Sequence, residues 1–159
     1  MAKPKTFGLV GYPVKHSLSP LMHNAAFKAL GIPAEYKLFE VKPEDLNAFF
    51  YDLDKNNIQG LNVTVPYKET VIKYLDSISP FAQEVNAVNT IVVTDDRRLI
   101  GHNTDGAGFL THLIELGVDP TNKRIAILGA GGTTRAILTV LCLLPERAQS
   151  IRIYNRTKE

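Results

Sequence analysis

The stretch that most restricts how this 159-residue chain can fold lies near its end. Arg124–Leu128 (RIAIL) is a short apolar run of strand character, and it leads straight into Gly129-Ala130-Gly131-Gly132-Thr133-Thr134-Arg135. An apolar helical pattern follows to about Leu144, stopped by Pro145, and residues 150–154 (SIRIY) read as a second strand, the first being the buried one. Strand, glycine turn, helix and strand in that order make a parallel βαβ unit, the start of a doubly wound sheet. Glycines let the backbone turn tightly and approach a pyrophosphate, whose charge then meets the helix N-terminus. The fit to G-x-G-x-x-G is imperfect because Thr134 holds the third glycine position, so a tight turn without a ligand stays open. A dinucleotide site that takes NAD usually carries an acid after the second strand, to hold the ribose hydroxyls. Here that place reads Tyr154-Asn155-Arg156-Thr157. Arg156 can pair with a 2′-phosphate, which favours NADP over NAD; the plain alternative is an exposed arginine.

Upstream, strand-like and helix-like periods alternate, which defines the class as α/β. Residues 6–11 form a short buried strand, and Ser19-Pro20 supplies a helix N-cap and first-turn proline. That helix has Leu21, Ala25, Ala26, Ala29 and Leu30 as its apolar face. A strand with Tyr36, Leu38 and Val41 comes next, then a helix opened by Pro43 with Leu46, Phe49, Phe50 and Leu53 inward. Residues 61–65 are a third strand closed by Pro66, 68–75 read as helical, and 90–101 as a hairpin turning near Asp95-Asp96. The boundaries that follow are 1–103 for an N-terminal α/β domain with a mixed sheet, 104–123 for a connecting helix and linker, and 124–159 for a partial nucleotide-binding domain. Two parallel strands and one helix bury too little to stand alone. The chain therefore reads as the first part of a longer enzyme or as a piece that leans on a partner, with an unpaired sheet flank after residue 154.

Charge and composition exclude several classes. With 18 Lys+Arg against 16 Asp+Glu the formal charge is +2, so no nucleic-acid partner is expected. The single cysteine, Cys142, rules out an internal disulfide and a cysteine-based zinc site, and no metal site is assigned. No apolar run is long enough for a membrane span and no signal-peptide core opens the chain, which points to a cytoplasmic, reducing compartment.

The remaining polar clusters are dense in small hydrogen-bonding groups. Ser17 and Ser19 sit two apart, on one side if that segment is extended; Ser19 alternatively only caps its helix. Asn62 and Thr64 point to one face of their strand, where an amide and a hydroxyl suit a polyhydroxylated ligand, and Lys68 either reaches the same cleft or is solvated surface. Asn86-Ala-Val-Asn89-Thr90 and Asn103-Thr104-Asp105-Gly106 lie beside strand ends. Asp105 reads as an N-cap or as one half of an acid–base pair with Lys68.

Taken in order, SLSP (17–20), NVTVPYK (62–68), NAVNT (86–90), NTDGAG (103–108), GAGGTTRA (129–136) and NRT (155–157) resemble the shikimate dehydrogenase family. The set is specific although no single member is. Family members commonly carry Gly where this chain has Asn86, a change that Asn tolerates because it accepts positive φ. The resemblance implies a substrate domain followed by an NADP-binding Rossmann domain, and reversible reduction of 3-dehydroshikimate to shikimate by NADPH. It implies that Ser17 and Ser19 hold the substrate carboxylate, and that Thr64, Asn89, Asp105 and Lys68 bind the ring hydroxyls. Lys68 and Asp105 become the catalytic pair, with Lys68 moving the proton as hydride goes to or from C3, while Thr104 helps with the carboxylate or simply caps. Gly129, Ala130, Gly131, Gly132, Thr133 and Arg135 seat the pyrophosphate, and Asn155, Arg156 and Thr157 select the 2′-phosphate. Family members also run on well past this point, so weak or no turnover is expected of these residues alone. A homodimer is compatible with the family. The rival readings are a quinate-using relative, a non-catalytic shikimate-binding module, and a more distant dehydrogenase with a similar two-domain plan.

Overall fold

The computed structural model describes residues 4–156; Thr157 lies outside them. The chain forms two compact units. One comprises the residues up to Ser79 together with Val88–His102, the other Pro80–Ala87 together with the residues from Asn103 onward. Helix Pro80–Val85, which falls inside the expected 1–103 region, thus belongs with the second unit.

The first unit is a six-stranded mixed sheet made of β1 (Lys5–Gly11), β2 (Ala34–Glu40), β3 (Ile58–Val63), β4 (Ser77–Ile78), β5 (Thr90–Val93) and β6 (Leu99–His102). Its order is β2-β1-β3-β5-β6-β4, with β1 parallel to both neighbours and β5 antiparallel to β3 and β6. One face buries Val10, Leu61, Val63 and Ile91. Over it lies an aromatic run in which Phe39 of β2 meets Phe49 at 5.2 Å, and Phe50 stacks on Tyr74 at 4.6 Å. Phe49 and Phe50 belong to α2 (Leu46–Tyr51), whose inward positions are the expected Leu46, Phe50 and, just beyond it, Leu53.

The opposite face carries α1 (Ser19–Ala29) over a cluster of Leu9, Val14 and Tyr36. Here the expected face of α1 is wrong. Leu21 and Leu30 are 73% and 72% exposed, and His23, Asn24 and Phe27 turn inward instead. Those three also follow helical spacing, and they make specific contacts that small alanines cannot. His23 stacks on Tyr36 at 4.3 Å, Phe27 meets Phe7 at 5.8 Å, and Asn24 binds the Tyr36 backbone twice.

Other boundaries shift for local reasons. Strand β3 runs 58–63 rather than 61–65: Asn57 at φ 52° closes the preceding turn, and Val65 leaves the sheet and is 69% exposed. The stretch 68–75 holds only a short 3-10 helix, Thr70–Tyr74. The hairpin forms as expected, with Arg97 at φ 65° in its turn.

The second unit contains α3 (Pro80–Val85), α4 (Asp105–Glu115), β7 (Arg124–Leu128), α5 (Gly132–Leu143) and β8 (Ser150–Tyr154). Strands β7 and β8 pair in parallel, Ile125 opposite Ile151 and Ile127 opposite Ile153. A core of Val85, Ala87 and Ala136, with Phe81 against it, joins α3 to α5. Gly106 lets α4 approach: a β-carbon there would meet the Phe81 ring at 2.6 Å and Val140 at 2.7 Å. Strand β7 is not the buried strand that its sequence suggested. Only Ile125 and Ile127 of β7 are half-covered, and Leu128 is 85% exposed, because a two-stranded sheet has one face to cover.

Candidate functional site

In the first unit, the turn after β1 and the segment after β3 enclose a hollow of about 410 Å³. Leu9, Tyr12, Val14, His16, Ser17 and Thr64 line it, so Ser17 and Thr64 come together as expected. Ser19 joins them through Ser17, whose hydroxyl donates to Ser19 Oγ at 3.0 Å. The pair meets through a turn and not through extended backbone, since Leu18 is helical at φ −86°. Ser19 is not the cap: it is already the first residue of α1, and its N–H donates to Ser17 Oγ at 3.3 Å. Leu18 takes the N-cap position without a side-chain bond, and Ser17 meets the first helical N–H from outside.

Two devices hold this hollow that the sequence did not reveal. Glu40, at the end of β2, accepts from the N–H groups of Val14 (3.1 Å) and Lys15 (3.3 Å) and pairs with Lys15 Nζ at 3.3 Å. The Val14 amide, then Lys15, hold its carboxyl below the ordinary value of 4.5. Gly11 is the second: a β-carbon there would strike Thr64 and come within 2.7 Å of Val14, so the bare backbone lets Thr64 sit where it does. No local signal marks Glu40, which lies 26 residues from Val14. His16 also lines the hollow and stands beside Ser17 in the chain.

Asn62 lines a different hollow, of about 300 Å³, with His23, Tyr36 and Thr90. The Tyr36 hydroxyl donates to its Oδ1 at 2.7 Å, and its Nδ2 donates to Thr90 Oγ1 at 3.4 Å. Asn89 is held by backbone on both sides: its N–H donates to the His102 carbonyl at 3.0 Å, and its carbonyl accepts from Val63 at 2.8 Å. Lys68, half-buried, accepts the Val88 N–H on its carbonyl at 2.7 Å.

In the second unit, Asn103 is buried and does the work assigned to Asp105 as a cap. Its Nδ2 donates to the Ala87 carbonyl at 3.0 Å, and its Oδ1 accepts the Asp105 N–H at 3.0 Å. Asp105 is the first residue of α4 and half-buried, and Thr104 precedes it at the N-cap position without a side-chain bond to the helix. Asn86 ends α3 at φ 52°, the left-handed conformation anticipated for it. The glycine loop spans β7 and α5: Gly129, at φ 107°, gives its N–H to the Tyr154 carbonyl at 2.8 Å, and Thr134 Oγ1 donates back to the Gly129 carbonyl at 2.9 Å. A β-carbon at Gly129 or Gly131 would meet nothing within 4 Å. Open space beside these bare backbones, at the start of a twelve-residue helix, fits a pyrophosphate. Asn155 and Arg156 follow β8 and are exposed.

These features define a class: an α/β protein with hydroxyls gathered at strand ends of a mixed sheet, followed by a glycine-turn βαβ unit. Residues 9–91 match the family described as the shikimate dehydrogenase substrate binding domain, and the chain belongs to that family. A relative from Moorella thermoacetica, named shikimate dehydrogenase (NADP(+)), is 52% identical over 95% of this chain and 50% of its own length. The shikimate dehydrogenase structure from Aquifex aeolicus superimposes with a TM-score of 0.90 at 41% identity, over all of this chain and 58% of that one. The Thermus thermophilus enzyme, solved with NADP(H) and shikimate, gives 0.84 at 36% identity over 96% of this chain and 56% of that one. The chain thus spans about half the length of the relatives it matches. Among the described residues no helix is long and apolar enough to cross a membrane.

Proposed function

We propose that the chain supplies the substrate-binding part, and the start of the NADP-binding part, of a shikimate dehydrogenase that interconverts 3-dehydroshikimate and shikimate. The observation that carries this reading is the hollow in which Ser17 and Thr64 meet, with Ser19 bonded to Ser17. Ser19, which accepts the Ser17 proton, has its own for a carboxylate; Ser17 can turn its proton from Ser19 to the same carboxylate, and Thr64 offers one to a ring hydroxyl. Lys68, Asn89 and Asp105 complete the contacts to the ring, with Thr104 beside the carboxylate.

Lys68 and Asp105 form the catalytic pair: an ammonium gives its proton to the carbonyl oxygen as that oxygen becomes a hydroxyl, and takes it back in reverse. The carboxylate favours the charged ammonium and orients the hydroxyl. Gly129, Ala130, Gly131, Gly132, Thr133 and Arg135 seat the pyrophosphate of NADP, and Asn155, Arg156 and Thr157 take its 2′-phosphate. NADPH, when bound, supplies the hydride. Residues 1–103 act as the substrate domain, 104–123 as the connection and 124–159 as the first part of the cofactor domain. The setting is cytoplasmic, without a nucleic-acid partner, and a homodimer is compatible with this reading.

Calorimetry with shikimate and NADP added separately tests this. Saturable shikimate heat that Ser17→Ala weakens supports it; a folded chain that gives none overturns it. Turnover with shikimate and NADP by the 159 residues alone is expected to be weak or absent, since the relatives are about twice as long.

A further inference from the structure

Across the face of the sheet that carries α1 runs a line of side-chain hydrogen bonds with a single sense. The Tyr36 hydroxyl, on β2, donates to Asn62 Oδ1 at 2.7 Å. Asn62 Nδ2, on β3, donates to Thr90 Oγ1 at 3.4 Å, and the Thr90 hydroxyl, on β5, donates to Asn89 Oδ1 at 3.0 Å. Asn62 and Thr90 are directly opposed in the β3–β5 register, and β1 lies between β2 and β3, so the tyrosine ring bridges one whole strand. Each donor proton in this line points towards Asn89.

The first member is the most firmly held. Tyr36 is 5% exposed, His23 stacks on its ring, and Asn24 binds its backbone N–H and carbonyl at 2.8 and 3.0 Å. Burial pushes its hydroxyl up to about 12, so it stays a proton donor throughout the working range of an enzyme. A protonated tyrosine hydroxyl can donate or accept, and here it donates to the carbonyl oxygen of Asn62. That choice turns the Asn62 amide nitrogen towards Thr90, and Thr90, having accepted one proton, has its own left for Asn89.

We infer that Tyr36, Asn62 and Thr90 are positioning residues that fix which way round the amide of Asn89 is held, and through it the recognition of the substrate ring. The inference rests on the proposed role of Asn89 as a ring-hydroxyl ligand. It gives Asn62 a different task from the direct ligand contact read from its place in the strand. An amide turned the other way offers an oxygen where the ligand needs a donor; a relay anchored in the α1–β2 core favours one orientation before the ligand arrives.

The test uses the 159-residue protein with selectively 15N-labelled asparagine. Tyr36→Phe deletes the first proton of the relay, Thr90→Val deletes the last, and Thr90→Ser restores it. In each deletion the Asn89 side-chain amide signals should shift and lose order, and shikimate affinity should fall about three- to tenfold, the worth of one neutral hydrogen bond. Thr90→Ser should return both. If Tyr36→Phe and Thr90→Val leave the Asn89 amide signals and their order unchanged, the relay is overturned, whatever happens to binding. If wild-type protein binds no shikimate while its Asn89 signals do respond, the relay stands and the functional reading falls. Lost affinity in Thr90→Val that serine does not restore overturns the relay, since packing would then be the cause. Should Thr90→Val fail to fold, the Asn89 signals of Tyr36→Phe alone decide between these outcomes.

Discussion

Removing the Asn24 side chain is the sharpest test of how the first unit is held. Asn24 projects from α1 onto β2, one of the two edge strands of the six, and binds the N–H of Tyr36 at 2.8 Å and its carbonyl at 3.0 Å. It thereby substitutes for a neighbouring strand where this sheet edge passes beneath α1. Each bond is worth about 0.5–1.5 kcal/mol net, and poor access for water under α1 favours the middle of that range or above. Two bonds give about 2 kcal/mol. Alanine is the better helix former by about 0.5 kcal/mol, which offsets part of the loss and leaves about 1.5 kcal/mol for Asn24→Ala. For a chain of this size that lowers the melting temperature by about 3–6 °C. Urea unfolding followed by far-UV circular dichroism and tyrosine fluorescence measures it, the midpoint falling with the slope unchanged. A loss under about 0.5 kcal/mol, the level of an ordinary surface substitution, would refute the idea that this amide seals the strand edge.

Four further outcomes follow from the geometry. Glu40 has a folded pKa below its ordinary 4.5, so its contribution is complete above that value and is lost as pH falls through the depressed folded one; Glu40→Gln should flatten the acid limb of the stability profile, and an unchanged limb would refute the clamp on Val14 and Lys15. Asn86→Ala should cost about 1 kcal/mol and Asn86→Gly nothing, because φ is 52° there; equal thermal melts for both would contradict the assignment. Gly11→Ala forces a methyl against Thr64 and Val14 and should cost about 1–3 kcal/mol with a marked loss of shikimate affinity; full affinity would show that Thr64 is not held by this close approach. Replacing Arg156 with Ala in a chain that carries the complete cofactor domain should weaken NADP far more than NAD, and equal losses in a binding titration would make it bystander surface.

Much of the fold was legible from period and punctuation. The βαβ unit of β7, α5 and β8 was visible because a glycine turn between two apolar runs allows few alternatives, and the hairpin of β5 and β6 because its strands are adjacent in the chain. The face of α1 was misread because counting apolar positions favours Leu21 and Leu30, whereas Asn24 and His23 are drawn inward by partners on β2 that lie 12 and 13 residues ahead. Ser17 and Thr64 could be paired in advance only through a motif set, since 47 positions separate them and no periodicity links them. Asn103 was recognised as part of a polar cluster, but its structural task was assigned to Asp105 because a local pattern does not tell which of two nearby polar residues turns back. Glu40 and the line from Tyr36 to Asn89 depend on strand order, which composition and spacing do not encode.

The interleaving of the two units bears on how such proteins can be recombined. The chain passes from one unit to the other at Ser79, again at Ala87 and again at His102. A chimera spliced at a single point after residue 102 would therefore take Phe81, Val85 and Ala87 from one parent and Ala136 from the other. Exchange of the second unit between family members needs a double crossover that carries residues 80–87 along, or parents whose side chains already match at those four positions.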